Sequence, residues 1–220
     1  MAKILWACWD GGGNLPPSLG IAKELSARGH VVSFVGRPEM VVRAEAAGVA
    51  ASALAQAATD LPRYSFTPGA TVHGYVSSPT VGAELVQMVD QQRPDVVVID
   101  AMFGAALEVA PQFRAPTLVM LHTFLNHLIQ EWRQALSMQG TIREEAGFDP
   151  LPDLDTLWGS RDLLHTNSLA ALDGPPGTNW SNVRHGAPVL WAEPGPRTRR
   201  WTFRGTRATP PRSSCSASAR

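Results

Sequence analysis

Cysteine is nearly absent from this sequence. Cys8 and Cys215 are the only two, and they lie at opposite ends of the chain. They form no disulfide framework and no metal-type spacing, a usage that fits a reducing cytoplasm. No pair of histidines has the spacing of zinc ligands, so no metal is expected. Long hydrophobic runs are missing too. The N-terminus has one lysine and an apolar run over residues 4–9 before Asp10. That is too short for a secretory signal, and nothing approaches the roughly 18 apolar residues of a membrane span. No internal repeat is visible. Lysine is scarce, two against 17 arginines, which reads as the coding bias of a GC-rich gene. The formal net charge of zero conceals an uneven distribution. Residues 197–220 carry seven arginines and no acid, which leaves residues 1–196 with 12 basic and 19 acidic side chains, a net of −7. A domain of that charge lacks the basic face that nucleic acid requires.

With 220 residues and 44% hydrophobic side chains, the chain is long enough for one good-sized domain with a real core. The stretch that organises it is the first. An apolar run over residues 4–9 ends in Asp10–Gly11–Gly12–Gly13–Asn14, and a helical pattern follows to Gly29. Strand, glycine turn and helix in that order open a doubly wound α/β domain. Ligands of such sheets bind at the carboxyl ends of the strands, so Gly12, Gly13 and their neighbours are candidates for lining a cleft. The spacing G-x-G-x-x-G is absent, because Pro16 stands at the sixth position. A dinucleotide fingerprint, and with it a Rossmann dehydrogenase, is disfavoured.

Leu15, Leu19, Ala22 and Leu25 recur at spacings of four and three, which predicts a helix over 15–28. Strands are predicted over 31–35, 49–54, 96–100, 116–121 and 162–166. Helices are predicted over 39–47, 81–92 and 103–113, with a mostly helical stretch over 122–146. Residues 55–75 read as a long irregular connection, the kind that is usually functional or mobile. The run 96–100 is apolar on both faces, as a central parallel strand should be. Residues 183–191 read as a last extended segment. Beyond Pro196 there is no apolar periodicity, and a disordered or loosely attached tail is expected.

Several stretches together resemble one family. They are the glycine turn followed by Pro17–Ser18–Leu19, the helix end Leu25–Ser26–Ala27–Arg28–Gly29–His30–Val31–Val32, Ala44–Glu45–Ala46–Ala47–Gly48, and Arg93–Pro94–Asp95–Val96–Val97–Val98–Ile99–Asp100. Their order and spacing resemble the N-terminal, acceptor-binding half of the two-Rossmann (GT-B) glycosyltransferases that decorate antibiotics and other small molecules. Asn182–Val183–Arg184–His185–Gly186–Ala187–Pro188–Val189–Leu190 is similar to the edge of that half, where the chain crosses into the nucleotide-sugar domain. The resemblance covers residues 3–196. It implies one Rossmann-like α/β domain with a parallel sheet over 1–196, followed by an irregular basic tail over 197–220. It also implies transfer of a hexose or deoxysugar from a nucleotide sugar to a hydroxyl of a hydrophobic small molecule, with no metal and no further cofactor.

Two departures from the family stand out. Many members carry a histidine in the first turn as general base, and Asn14 occupies that place here. An amide orients a hydroxyl but has no site to take its proton near neutral pH. Asp100 matches the carboxylate that orients the histidine in many relatives, so either Asp10 or Asp100 would act as base, or the chemistry would rely on activation of the donor. The second departure is the lack of the donor domain: after Pro196 the text reads like a shifted frame of a GC-rich gene, and a truncated or frameshifted product is expected. Such a chain would lack turnover and expose the inter-domain face, which favours self-association. A non-catalytic module binding a small molecule or a partner is the alternative.

Each candidate also has a plain structural role open to it. Asp100 could cap the helix that follows, and Asp10 carries the same ambiguity. His122 follows the fifth strand and would face the cleft, or be satisfied by backbone. Phe124, Leu128 and Trp132 form a stripe at helical spacing that is either core or the apolar wall of the acceptor site. Trp9 and Phe103 complete the acceptor-binding candidates.

Overall fold

A computed structural model describes residues 1–54, 74–174 and 177–191. In it, β1 (Lys3–Cys8) leads into α1 (Leu15–Ala27), then β2 (Val31–Gly36), α2 (Pro38–Ala46) and β3 (Ala50–Ala53). After the undescribed segment come α3 (Pro79–Gln92), β4 (Val96–Asp100) and α4 (Gly104–Val109), which tightens into a 3-10 turn over Ala110–Gln112. Then follow β5 (Thr117–Leu121), α5 (Leu125–Glu145), a wide helical turn Asp155–Gly159, β6 (Leu163–Thr166), α6 (Ala170–Asp173) and β7 (Val183–His185). The described strands make one sheet in the order β3-β2-β1-β4-β5-β6-β7. Every pairing is parallel. The chain is a Rossmann-like α/β domain.

Parallel strands need helices on both faces, and the buried side chains divide accordingly. Leu5, Ala7, Val97, Ile99, Val119, Leu121 and Leu164 face α3, α4 and α5 on one side. Ile4, Trp6, Val32, Phe34, Val98 and Met120 face α1 and α2 on the other. There Trp6 stacks on Phe34 with ring centroids 5.2 Å apart. Alternate residues of a strand point to opposite faces, so the unbroken apolar text of 96–100 feeds both layers at once. One position leaves no room for any side chain. A Cβ at Gly36, the last residue of β2, would lie 1.8 Å from the Cys8 carbonyl oxygen.

The expected elements fall within a few residues of these bounds, with instructive exceptions. The helix expected over 103–113 gives way to the 3-10 turn at Ala110, where Pro111 removes a donor. The helix expected from 122 starts at Leu125, since the Asp173 carboxylate accepts the N–H groups of Leu125 (2.7 Å) and Asn126 (3.0 Å). Those orphan donors of the first turn are thereby satisfied from outside the helix. The irregular stretch expected over 55–75 lies outside the described residues except at its end, where residues 74–77 are helical. The last extended segment pairs only over Val183–His185 and runs on to Trp191 without regular structure. The expected tail, 197–220, lies outside the described residues.

Candidate active site

Between β1 and β4 the strand order changes direction, and this is where open parallel sheets bind ligands. Four neighbouring strands each deliver polar groups to this end. The turn after β1 brings Trp9, Asp10 and Asn14, and β4 ends on Asp100. His122 directly follows β5, and Asn167 directly follows β6.

Asp100 is the hub. Its side chain is 3% exposed. Oδ1 accepts the Trp9 indole N–H at 2.9 Å and the Met102 backbone N–H at 3.0 Å. Oδ2 accepts from Asn14 Nδ2 at 2.8 Å and lies 3.4 Å from His122 Nε2. Burial alone pushes this carboxyl up. Hydrogen bonding and charge attraction from His122, with hydrogen bonds from Asn14 and Met102, outweigh it and hold the group below its ordinary value of 3.8. Asp100 is therefore an ionised, fully engaged carboxylate. Among the two roles weighed for it, capping α4 is not the one it plays, because its backbone contact is to Met102 in the preceding turn.

The turn itself is rigidly held. Asn14 spans it, accepting from the Gly11 N–H at 2.7 Å while its amide nitrogen reaches Asp100. Asp10 adopts a left-handed conformation, φ 57°, which a short polar side chain tolerates. Its Oδ1 accepts the Gly12 N–H at 3.0 Å and pairs with Arg43 at 2.5 Å. Gly12 follows at φ 89°, a backbone state suited to glycine. A Cβ at Gly11 would lie 2.5 Å from the Trp9 ring, so the indole can lie across the turn only because residue 11 has no side chain. Cys8, just beneath, is buried. Burial and the negative charges of Asp100 and Asp10 push its thiol up, which keeps it protonated and unsuited to nucleophilic work.

His122 stands at the edge of this network. Nε2 lies 3.3 Å from Ser18 Oγ, and Nδ1 lies 3.1 Å from Asn167 Nδ2. Ser18 in turn donates to the Asn14 carbonyl at 2.8 Å. A cleft of about 460 Å³ opens here, lined by Gly13, Pro16, Pro17, His122, Asn167 and the segment Pro188, Val189, Leu190 and Trp191. That closing segment is seated on α1. A Cβ at Gly20 would fall 2.7 Å from Trp191 Cβ and 3.3 Å from a Val189 methyl.

The structure thus gathers Trp9, Gly13, Asn14, Asp100 and His122 at one place. Asp10 and Gly12 belong to the same turn but do not line the cleft. Phe103 and Trp132 are wholly buried and Leu128 nearly so, all three within the main hydrophobic cluster, while Phe124 is 43% exposed. Trp132 stacks on Trp158 at 6.5 Å. Ser18, Asn167 and Trp191 were not singled out by the sequence. Ser18 had a signal, its place one helical turn beyond Asn14. Asn167 and Trp191 had none, because only the sheet order brings them to the cleft. Among the described residues no group of three His, Cys, Asp or Glu side chains is placed to hold a metal ion. Among the same residues no helix is long and apolar enough to cross a membrane.

No protein-family model and no curated protein sequence matches the chain. Solved structures do. The calicheamicin glycosyltransferase CalG4 is 21% identical, with a TM-score of 0.60, over 89% of this chain and 56% of that one. The glycosyltransferase SnogD from Streptomyces nogalater is 17% identical, with a TM-score of 0.58, over 93% of this chain and 56% of its own. The Streptomyces sp. SF2575 glycosyltransferase SsfS6, solved with thymidine diphosphate, is 15% identical, with a TM-score of 0.54, over 92% and 57%. The chain spans about half the length of these structures. At such identities the likeness is one of fold: this is the architecture of one half of a GT-B glycosyltransferase.

Proposed function

We propose that this chain supplies the acceptor side of a sugar transfer from a nucleotide sugar to a hydroxyl of a hydrophobic small molecule. The observation that carries the reading is the cleft at the strand ends. Its walls are prolines, Val189, Leu190 and Trp191, and its polar floor is His122 and Asn167. Apolar walls with a few convergent polar groups suit a lipophilic ligand held by one hydroxyl. The half-length match to antibiotic glycosyltransferases supports the same reading. The donor's diphosphate is then met by a second α/β half. By themselves residues 1–220 bind acceptor and do not turn over, with residues 1–196 as the acceptor-binding domain and 197–220 as a dispensable, frameshift-like tail. Phe124, Leu169 and Leu190 stand exposed after β5, β6 and β7. This face favours self-association, which sedimentation at several concentrations reads directly.

Calorimetric titration with 4-methylumbelliferone, a small apolar phenol, tests the central claim. Saturable binding is expected from the wild-type chain. Gly13→Leu, at a cleft-lining position where an added Cβ meets nothing within 4 Å, projects an isobutyl group into the cleft and is expected to abolish that binding. Binding that survives Gly13→Leu would place the acceptor elsewhere. Sugar transfer from a thymidine or uridine diphosphate sugar by the purified 220-residue chain would overturn the division of labour.

A further inference from the structure

We propose that His122 is the general base of the transfer, so that the base stands at the end of β5 and not in the turn after β1. The inference rests on the acceptor reading above and assigns the proton within it. None of the other candidates lines the cleft, and each is tied into the turn or the sheet end. The two oxygens of Asp100 receive four polar groups and are 3% exposed, so no lone pair faces the cleft. Asp10 is paired with Arg43 and with the Gly12 N–H. Asn14 uses both ends of its amide inside the network. Among these groups His122 alone lines the cleft while touching the carboxylate.

Its tautomer follows from its neighbours. Asn167 is placed with its amide nitrogen toward His122, and an amide nitrogen only donates, so this placement assigns a bare lone pair to His122 Nδ1. The proton then sits on Nε2, where it faces Ser18 Oγ at 3.3 Å and Asp100 Oδ2 at 3.4 Å. Ser18 spends its own proton on the Asn14 carbonyl, which leaves its oxygen free to accept. An imidazole with a carboxylate behind its N–H and a lone pair on the far nitrogen has the arrangement of a base. An acceptor hydroxyl entering the cleft takes the place of the Asn167 amide at Nδ1.

The transfer then balances simply. The hydroxyl proton passes to Nδ1 as the oxygen forms a bond to the sugar's anomeric carbon. The bond from that carbon to the diphosphate breaks, and the nucleoside diphosphate leaves with the electron pair. The imidazolium formed lies against the Asp100 carboxylate and later releases its proton to solvent. Asp100, Asn14 and Ser18 are positioning residues in this scheme.

The test has two independent arms. First, ¹⁵N NMR of the histidine-labelled chain at about pH 8.5, where an ordinary histidine is neutral, reports the tautomer. The His122 signals are identified by their response to Ser18→Ala. Nε2 is expected to be protonated and Nδ1 bare, and Asp100→Asn is expected to erode that preference. A wild-type His122 protonated on Nδ1 would overturn the proposal. Second, 4-methylumbelliferone is compared with its 7-methoxy ether, which cannot donate. The phenol is expected to bind roughly tenfold tighter, the worth of one hydrogen bond of about 1.4 kcal/mol. His122→Phe, which keeps a ring and removes both nitrogens, is expected to erase that ratio. An undiminished ratio in a folded His122→Phe variant refutes the role of His122 alone. If neither probe binds the wild type, the acceptor reading fails and the proposal with it. If His122→Phe does not fold, the wild-type tautomer still decides.

Discussion

Replacing Asp100 by asparagine probes the hub of the strand-end network with almost no change of shape. The carboxylate receives Trp9 Nε1 and Met102 N on one oxygen, and Asn14 Nδ2 and His122 Nε2 on the other. An asparagine keeps a single oxygen. If that oxygen faces Trp9 and Met102, its NH2 group meets Asn14 Nδ2 head on. Asn14 cannot turn over without pointing its own amide nitrogen at the Gly11 N–H, 2.7 Å from the present acceptor. One or two hydrogen bonds to a charged group are therefore lost, at about 1.5–3 kcal/mol each. The variant should be less stable by about 2–5 kcal/mol near pH 7, read by urea unfolding followed through tryptophan fluorescence. The pH dependence carries a sign. The native carboxyl is held below its ordinary 3.8, so its stabilisation is complete above that value and is lost as pH falls through the native one. The gap between wild type and Asp100→Asn should stay level between about pH 7 and 5 and close in stronger acid. A loss under about 0.5 kcal/mol, the scatter of an ordinary surface substitution, would refute the idea that these contacts hold the site. A gap that does not close in acid would refute the assignment of an ionised Asp100.

Three further outcomes follow from named contacts. Gly11→Ala puts a methyl 2.5 Å from the Trp9 ring, so the indole must leave and its bond to Asp100 breaks. A change in near-ultraviolet circular dichroism with a loss of about 1–3 kcal/mol is expected. Gly36→Ala drives a methyl to 1.8 Å from the Cys8 carbonyl oxygen, a backbone atom that cannot yield without parting β1 from β2. Little folded protein should be recovered, and a cooperative thermal transition near that of the wild type would contradict the packing. Asp173→Ala strips the start of α5 of two charge-assisted bonds and removes one of the partners of Ser168 Oγ. Hydrogen exchange should accelerate in the first turn of α5, with a global cost of about 2–4 kcal/mol by equilibrium unfolding.

The sheet was readable from the sequence because its signal is local. Runs such as 31–35 and 96–100 are short, rich in branched residues and largely apolar, and a helix follows each. The site was readable only in part, for a physical reason. Asn14 and Asp100 stand where turn and strand grammar places them, but what they do depends on partners that sequence distance hides. The contact between His122 and Asp100 exists because β4 and β5 are neighbours in the sheet. Asn167 joins through β6, and Asp173 starts a helix from 48 residues away. The stripe of Leu128 and Trp132 shows the converse limit. Periodicity reports that a face is apolar, and only the fold shows that it packs on Trp158 in the core. Arg143 makes the same point for charge, since this buried guanidinium on α5 pairs with Glu108 on α4 through two bonds of 2.9 and 3.0 Å.

The seat that Gly20 provides for Trp191 fixes where the last described residue lies. The last described residue rests on the helix that begins at the cleft, so anything joined after it starts out beside that opening. A unit tethered there is held at a high local concentration over the opening and needs little affinity of its own to close it. Swapping such units would change what reaches the cleft from above and leave its walls unaltered.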